Sequence, residues 1–288
     1  MGGGVTAGVH GTTTPSGRDH VELDLGALAG ITDRGRRHQR NEDAMALAVT
    51  DTPGGPAAIA VVCDGVSASD RPDEASLAGA DAAASVLAAA LRAGGDPARA
   101  SADAMAAASD AVAGIADPAR PREAAPAATY VSAVIVGTAV TVGWAGDSRA
   151  YWLPADPAGS ARLLTKDDSW AEELIAAGVP KAEALASPQA HQITRWLGPG
   201  ARTQDPAVTS FEPGGDGVVL LCSDGLWNYL PEPAGLAALA LPAALTDPVA
   251  AAGRLVAFAL EAGGEDNITV VLARFLRAPA SDPRSAPA

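Results

Sequence analysis

The stretch AAIAVVCDG, residues 57–65, is an apolar run that ends abruptly in Asp64 and Gly65. An apolar run of this length is typical of a buried strand. A hydrophobic core has no need for an acid followed by a glycine at the end of such a strand. We therefore interpret Asp64 as the hub of a metal site, on which other carboxylates beside apolar sequence converge: Glu42, Asp43, Asp147, Asp224 and Asp266.

The length of 288 residues allows one large domain or two small ones, with enough chain to bury a sizeable core. The candidate acids run from Glu42 to Asp266, which favours one domain, predicted over residues 21–277. Residues 1–20 are rich in Gly and Thr, and residues 278–288 are of low complexity. Both ends are therefore predicted to be disordered tails.

The composition excludes several classes of protein. A formal charge of −14 argues against nucleic-acid binding and against binding to anionic membranes. The N-terminus lacks the pattern of a signal peptide, and the apolar run at residues 75–91 carries Asp81, so no membrane span is predicted. Cys63 and Cys222 suit neither a disulfide framework nor a zinc site, and we interpret them as core residues. The cytoplasm is the predicted location.

Helical patterns and strand-like patterns alternate in blocks along the chain. Alanine-rich helices are predicted at residues 75–92 and 97–115, and a later pair at residues 233–241 and 248–263. Residues 129–153 have the pattern of an antiparallel meander. Strands towards both ends, with helices in pairs between them, favour a layered α+β fold over a doubly wound parallel sheet.

The carboxylates suit a hard divalent cation, which prefers carboxylate and carbonyl oxygens. Like charges held close together repel one another unless a cation neutralises them. A glycine after Asp64 and after Asp224 would let a backbone carbonyl approach such an ion. Each remaining acid also has a structural alternative. These are a charge run paired with nearby arginines for Glu42-Asp43, a turn for Asp147, a turn cap before a strand for Asp266-Asn267, and a helix start for Asp167-Asp168.

Seven short motifs stand in an order that resembles a known family. They are RNEDA (40–44), VVCDG (61–65), GWAGDSRAYW (143–152), LLTKDDSW (163–170), ITRWLG (193–198), LLCSDGLWN (220–228) and DNITVV (266–271). Their order and spacing are similar to those of the metal-dependent protein phosphatases, the protein phosphatase 2C family, and most like its bacterial branch. The resemblance covers residues 23–275. It implies a four-layer α-β-β-α sandwich, in which two packed antiparallel sheets are flanked by helix pairs.

The resemblance also implies a centre of two Mn²⁺ or Mg²⁺ ions, with a third ion bound weakly. Asp64 matches the residue that bridges the two metals, and Asp147 matches a ligand of the third. A hydroxide that bridges the metals would attack phosphorus directly, without a covalent phosphoenzyme. Residues 166–191 match a mobile flap beside the site, which Thr194 and Arg195 follow. The full set of implied metal ligands is Glu42, Asp43, Asp64, Gly65, Asp147, Asp224 and Asp266.

Two positions depart from the family pattern. After Gly65 the sequence is VSAS, without the usual glycines or histidine. We hypothesise that metal-bound water or a nearby side chain protonates the leaving group. The usual place of the phosphate-binding arginine holds His38, and we predict that Arg37 binds phosphate instead, because a guanidinium suits phosphate better than an imidazole does. A salt bridge from Arg37 to Asp43 is the alternative.

The predicted function is that of a metal-dependent protein serine/threonine phosphatase. Its substrates would be phosphorylated proteins, modified by Ser/Thr kinases. The alternative is a phosphatase-like regulatory or binding module with weak or no catalysis, suggested by the altered loop after Gly65. The presence of Asp64, Asp224 and Asp266 favours the enzyme, because a pure binding module would have no use for three converging acids.

Overall fold

The computed structural model describes residues 5–8, 19–121, 124–200 and 206–277, and for residues 5–8 it describes the backbone alone. The strands in chain order are β1 (Val5–Gly8), β2 (His20–Asp24), β3 (Leu28–Asp33), β4 (Asp43–Thr52), β5 (Gly55–Asp64), β6 (Tyr130–Val136), β7 (Ala139–Ala145), β8 (Arg149–Pro154), β9 (Arg162–Leu163), β10 (Ala207–Phe211), β11 (Gly217–Cys222) and β12 (Ile268–Phe275). The helices are α1 (Pro72–Arg92), α2 (Pro97–Gly114), α3 (Trp170–Ala176), α4 (Lys181–Leu185), α5 (Asp224–Trp227), α6 (Pro233–Ala244) and α7 (Pro248–Ala262).

The strands form two six-stranded antiparallel sheets. The spatial order is β1-β4-β5-β6-β7-β10 in the first sheet and β2-β3-β12-β11-β8-β9 in the second. In the first sheet, β4, β5, β6 and β7 follow one another in space as they do in sequence. In the second sheet, the last strand, β12, lies between β3 and β11. Segments from both ends of the described chain therefore meet in the middle of the second sheet.

Three apolar clusters divide the molecule into four layers. One cluster packs α1 and α2 against the outer face of the first sheet. A second packs α6 and α7 against the outer face of the second sheet. A third, which includes Leu47, Val62 and Val219, fills the space between the sheets. The predicted α-β-β-α sandwich is confirmed, and its apolar layers are the main source of its stability.

Strand β5 shows how the sequence specifies this arrangement. Side chains of a strand alternate between its two faces. Ile59, Val61 and Cys63 face the helix layer, and Ala60 and Val62 face the second sheet. Both faces are buried, which explains the unbroken apolar run in the sequence. Asp64 is the residue at which this burial on both faces ends.

Helix α1 is long and apolar enough to cross a membrane by length and composition alone. Half of its apolar window is buried inside the molecule, however, and it packs against α2, β4 and β5. Leu87 and Leu91 are fully buried in this layer, as the helical pattern predicted. Within the described residues, α1 behaves as a core helix. Both cysteines, Cys63 and Cys222, are free and buried in the core, also as predicted.

The predicted meander at residues 129–153 is only partly correct. Strands β6 and β7 form a hairpin in the first sheet, but β8 pairs with β11 in the second sheet. The chain therefore crosses from one sheet to the other at residues 146–148. Local strand propensity cannot reveal this crossing, because the partner strand β11 lies far away in sequence. The crossing carries Asp147 to the same end of the sandwich as Asp64.

The N-terminal tail also differs from the prediction. Val5–Gly8 is a strand that pairs with β4 at the edge of the first sheet, with Val5 opposite Val49 and Gly8 opposite Ala46. Strand β2 begins at His20. The disorder predicted for residues 1–20 does not hold for these positions. Residues 1–4 and 9–18 of that tail and the predicted tail at residues 278–288 lie outside the described residues.

Truncation of the core between the sheets tests the four-layer arrangement. Leu47 is fully buried in that core. We expect Leu47→Ala to lower the free energy of unfolding by about 2 to 5 kcal/mol, because it removes apolar contacts and leaves a cavity. Urea denaturation followed by circular dichroism measures the change. The matched control Leu276→Ala, at a side chain that is 58 % exposed, should change stability by less than about 0.5 kcal/mol. Equal effects of the two substitutions would contradict the assignment of Leu47 to the core.

Candidate metal centre

The site begins with two acids that face each other across a strand pair. Asp43 is the first residue of β4 and Asp64 the last residue of β5, and the antiparallel register places them directly opposite one another. Two carboxylates in this position repel each other, so the pair destabilises the sheet unless it is compensated. The backbone around the pair is closely fixed: Asp64 N–H donates to Thr129 Oγ1 over 3.1 Å, and Gly65 N–H donates to the Glu42 carbonyl over 3.1 Å.

Hydroxyl groups from the second sheet hold the carboxylate of Asp43. Ser223 Oγ and Thr269 Oγ1 each donate a hydrogen bond to Asp43 Oδ2 over 2.7 Å. Thr269 N–H in turn donates to Ser223 Oγ over 3.0 Å. Ser223 follows β11 and Thr269 lies in β12, so these bonds tie the end of the second sheet to the start of β4. Asp43 is thereby oriented by two hydroxyl groups of the second sheet.

The side chain of Asn267 fixes the loop that precedes β4 through hydrogen bonds. Its side-chain carbonyl accepts from Glu42 N–H over 2.7 Å, and its amide donates to the carbonyls of Arg34 and Arg40 over 2.7 and 3.1 Å. The neighbouring Asp266 therefore lies beside the loop that carries Glu42. The Glu42 carboxylate accepts from Arg40 Nε over 3.0 Å and from Ser67 Oγ over 2.6 Å.

Asp147 reaches the site from the crossing between the sheets. Its carbonyl accepts from Trp227 Nε1 over 2.9 Å. The Arg149 guanidinium lies 3.7 Å from the centre of the Trp227 ring and donates two hydrogen bonds to Asp167, over 2.9 and 2.7 Å. A guanidinium that stacks on an indole and binds a carboxylate with two bonds is strongly oriented. This arrangement fixes the crossing turn against α5, whose first residue is Asp224.

Burial and mutual repulsion dominate the electrostatics of the site. Burial, together with the negative charge of Asp266, raises the pKa of Asp43 to about 7 despite the opposing hydroxyl donors. Burial, together with the charge of Asp167, raises the pKa of Asp147 to about 7. For Asp64 and Asp224, burial followed by the neighbouring carboxylates raises the pKa well above its usual range. Each carboxylate therefore makes ionisation of the others less favourable.

Four of the acids open into one cavity of about 750 Å³. The cavity lies at the end of the sandwich, between the loop after β5 and the segment that follows α4. Its lining contains Asp64, Gly65, Val66, Ser67, Ala68, Ser69, Ala125, Ala127, Thr129, Asp147, His191, Gln192, Ile193, Trp196, Pro199, Asp224 and Asp266. The predicted ligands Glu42 and Asp43 lie outside this lining. Asp43 is on the strand beside Asp64, and Glu42 is the residue before that strand.

The donors fit hard divalent cations such as Mn²⁺ and Mg²⁺, because they are carboxylate and carbonyl oxygens in a buried, electrically repulsive site. Across the described part of the chain, no group of three or more His, Cys, Asp or Glu side chains gathers closely enough to hold one ion. The acids surround the cavity instead of a single point. Water molecules would therefore have to complete the coordination, as Mg²⁺ commonly requires.

The two DG glycines have a structural role in addition to the one predicted, which stays a prediction. A Cβ atom at Gly65 would lie 2.2 Å from the Pro72 carbonyl oxygen, and one at Gly225 would lie 2.0 Å from the Asn267 carbonyl oxygen. Real Cβ atoms do not approach backbone so closely. Glycine is therefore required after each acid by backbone packing, because the start of α1 lies directly over Gly65 and the segment before β12 lies directly over Gly225. Gly65 still lines the cavity beside Asp64.

Arg37 is not brought to the cavity. Its guanidinium pairs with Glu265 over 2.6 Å, and the side chain is 67 % exposed. The alternative pairing with Asp43 is not what the structure shows either. His38 pairs with Asp266 over 3.1 Å, and Arg40 lies between Glu42 and Asp73 at 3.0 and 3.5 Å. The role of Arg37 in binding phosphate stays a prediction.

Asp167 and Asp168 do not start a helix, which was the structural alternative in the sequence. Helix α3 begins at Trp170, and Ser169 is its N-cap, accepting from Glu172 N–H. Asp167 binds Arg149, whereas Asp168 accepts from Gly146 N–H over 3.1 Å and lies 3.4 Å from Arg195. The two acids attach the flap, residues 166–191, to the crossing turn. Arg195 thereby takes part in holding the flap.

Several supporting residues were not recognised in the sequence. Ser223 and Thr269 stand within the quoted motifs, but neither was assigned a role. A polar residue inside an otherwise apolar strand, as Thr269 is, was the available signal, because buried hydroxyls need partners. Thr129, which binds Asp64 N–H and Ser148 Oγ, gave a weaker signal because it precedes a strand. Asn267 was considered only as a turn residue.

The fold and this cavity define a two-sheet α+β protein with a candidate metal centre built from carboxylates. A family model described as "Protein phosphatase 2C" matches residues 32–258. The chain therefore belongs to the protein phosphatase 2C family, whose members depend on metal ions. This agrees with the resemblance drawn from the seven motifs.

Individual relatives agree with this assignment. The serine/threonine phosphatase stp of Listeria innocua is 35 % identical over 146 residues, which cover 50 % of this chain and 55 % of that protein. The chain thus spans about half the length of this curated relative. Two solved structures match more completely. The Mycobacterium smegmatis phosphatase MsPP is 29 % identical with a TM-score of 0.62, covering 88 % of this chain and 100 % of that one. The Mycobacterium tuberculosis phosphatase PstP/Ppp is 26 % identical with a TM-score of 0.65, covering 90 % and 100 %.

The close packing over Gly65 predicts a selective loss of stability. We expect Gly65→Ala to lower the free energy of unfolding by about 1 to 3 kcal/mol, since the added methyl group collides with the Pro72 carbonyl. Gly214→Ala is the matched control, because a Cβ atom there has nothing within 4 Å. Urea denaturation of both variants gives the comparison. A Gly65→Ala protein as stable as the Gly214→Ala protein would show that the start of α1 is not closely packed over Gly65.

The repulsion among the acids predicts that a substitution at Asp64 stabilises the metal-free protein, whereas Gly65→Ala destabilises it. In EDTA, we expect Asp64→Asn to raise the free energy of unfolding by about 0.5 to 2 kcal/mol, because a buried charge next to Asp43 and Asp224 is removed. Addition of Mn²⁺ should raise the melting temperature of the unsubstituted protein more than that of Asp64→Asn. The control Asp110→Asn, at an exposed position on α2, should behave like the unsubstituted protein in both conditions. A loss of stability of Asp64→Asn in EDTA would contradict the repulsive arrangement.

Proposed function

We propose that this protein is a phosphoprotein phosphatase that hydrolyses phosphoserine and phosphothreonine with the help of divalent metal ions. The observation that carries the proposal is the set of half-buried, mutually repelling carboxylates around a cavity of about 750 Å³. Such a site is unfavourable for a structural role, because an apolar residue in each position would stabilise the fold more. It is suited to concentrate positive charge where a phosphate group enters.

We propose Mn²⁺ or Mg²⁺ as the metal, with two ions in the centre and a third bound more weakly. Asp64, Asp224 and Asp266 would hold the first ion, directly or through water, and Asp64 would also contact the second, together with the Gly65 carbonyl and the Glu42-Asp43 pair. Asp147 and Asp224 would hold the third. Divalent ions supply Lewis acidity and activate water for in-line displacement at phosphorus.

Hydrogen bonds within the chain orient the proposed metal ligands. Ser223 and Thr269 fix the Asp43 carboxylate, and Thr129 fixes the backbone of Asp64. These bonds keep the ligand oxygens in place before any cation arrives, which reduces the reorganisation that binding requires. His191, the last residue of the flap, and Gln192, which follows it, also line the cavity.

The proposed partners are phosphorylated proteins, which Ser/Thr kinases would have modified. This rests on the named serine/threonine phosphatases among the relatives. The net charge of −14 supports the absence of nucleic-acid and membrane partners. The cytoplasm is the location we propose on the same grounds.

The test is hydrolysis of p-nitrophenyl phosphate and of a phosphothreonine peptide, with Mn²⁺ and with EDTA. We expect turnover in Mn²⁺ alone, and a fall of about 100-fold or more for Asp64→Asn, because the substitution removes a ligand shared by two ions. Asp110→Asn is again the matched control and should retain full activity. Mn²⁺ binding without turnover on either substrate would favour the alternative of a phosphatase-like binding module. Equal rates for the unsubstituted protein and Asp64→Asn would contradict the assignment of Asp64 to the metal centre.

A further inference from the structure

A second concave surface opens directly off the acidic cavity. It has a volume of about 270 Å³ and is lined by Trp170, Glu173, Gln192, Ile193, Thr194 and Trp196. We call it the tryptophan groove. Gln192, Ile193 and Trp196 belong to the lining of both the groove and the acidic cavity. A substrate whose phosphate occupies the cavity therefore has its neighbouring residues within reach of the groove.

The groove is built by the base of the flap. Trp170 N–H donates to the Gln192 carbonyl over 2.9 Å, and Ser169 forms an isolated antiparallel bridge with Ile193. These contacts hold the start of α3 beside the segment that leads to Trp196. Trp170 and Glu173 lie one turn apart on α3, at the spacing that places two side chains on one helix face. The flap thus presents an indole and a carboxylate side by side.

Large side chains in the groove are left exposed. Trp170 is 40 % exposed, whereas indoles of folded proteins are usually well buried. Glu173 is exposed and its carboxylate has no hydrogen-bonding or charged partner among the described residues. The lining contains one acid and no basic residue. The groove therefore offers aromatic faces and a negative charge that the chain itself does not use.

We propose that the tryptophan groove binds the side chain of an arginine or lysine close to the phosphorylated residue of the substrate. An indole face attracts a cation more strongly than other aromatic rings do, and a carboxylate beside it adds an ion pair. Arginine fits especially well, because its planar guanidinium can stack on an indole. The proposal rests on the proposed function, since it takes the phosphate to lie in the acidic cavity.

The charge of the protein supports a basic occupant over an apolar one. With a net charge of −14, the chain attracts positive segments of a partner over several ångströms. Among the flap residues near the groove, Lys166 lies 3.5 Å from Glu172, so this lysine is already paired with another acid. A peptide with a basic residue beside its phosphate would thus match the acidic groove, while the metal-loaded cavity receives the phosphate.

The experiment compares phosphothreonine peptides that differ at one flanking residue. Arginine is placed at each position from three before to three after the phosphothreonine, in an alanine background. Citrulline keeps the shape of arginine without its charge, and norleucine provides an apolar chain. With Mn²⁺ and the full chain, we expect kcat/KM for the best arginine peptide to exceed that of its citrulline counterpart about fivefold to tenfold, mainly through KM.

Substitutions in the groove test whether the preference for arginine over citrulline arises there. The ratio of kcat/KM for the arginine and citrulline peptides should fall below about twofold in Glu173→Gln and in Trp170→Leu. Because the ratio is taken within each variant, a general change in turnover does not affect it. Glu183→Gln is the matched control, since it removes one exposed flap charge from α4, outside the groove. It should retain both the ratio and the turnover.

Three outcomes would overturn the proposal. They are equal rates for the arginine and citrulline peptides, a preference for norleucine, and an arginine preference that survives in Glu173→Gln and Trp170→Leu. Hydrolysis of p-nitrophenyl phosphate reports separately on the proposed function, because this small ester does not extend into the groove. If the ester is not hydrolysed, binding of the same peptides is measured by tryptophan fluorescence. If Glu173→Gln then binds the arginine and citrulline peptides equally well, the groove is shown to bind arginine without a measurement of turnover.

Discussion

The repulsion between Asp43 and Asp64, which face each other across β4 and β5, is the constraint on which the site depends. A sheet that places two acids directly opposite each other must compensate for them. Part of the compensation is local, since Ser223 and Thr269 direct their hydroxyls at Asp43. The three apolar clusters supply the rest, because they stabilise the sandwich independently of the acids. The fold can therefore tolerate mutually repelling carboxylates at one end of the sandwich, and that end is available to bind cations.

The layers of the fold could be predicted because they follow from local patterns. The apolar run before Asp64 indicates a strand buried on both faces, and the alanine-rich segments indicate helices that lie close against a sheet. The carboxylates were recognisable because Asp64 and Asp224 interrupt or end apolar sequence. The sheet to which β8 belongs was not predictable, because its pairing with β11 joins segments far apart in the chain. The supporting bonds of Asn267 to residues 34, 40 and 42 escaped prediction for the same reason.

The helix start that was the alternative for Asp167-Asp168 is wrong for a physical reason. Two acids before a helix are usually read as favouring its first turn, but the long-range pairs of Asp167 with Arg149 and of Asp168 with Arg195 prevail over that local preference. Arg37 lies in an irregular loop, where sequence offset does not determine the direction of a side chain. The loop is fixed by Asn267, and its geometry directs Arg37 towards Glu265. Side-chain direction in such a loop depends on its tertiary anchors, which sequence spacing does not encode.

The central position of β12 has a consequence for biosynthesis. Strand β12 is the last described element, yet it pairs with β3 near the start and supplies Thr269 beside Asp43. Pairings between such distant segments form slowly, because the chain must first close a very long loop. A nascent chain that has not yet emerged as far as Asp266 lacks this acid, the hydroxyl of Thr269 and a central strand of the second sheet. The acidic centre can thus assemble only after β12 has left the ribosome.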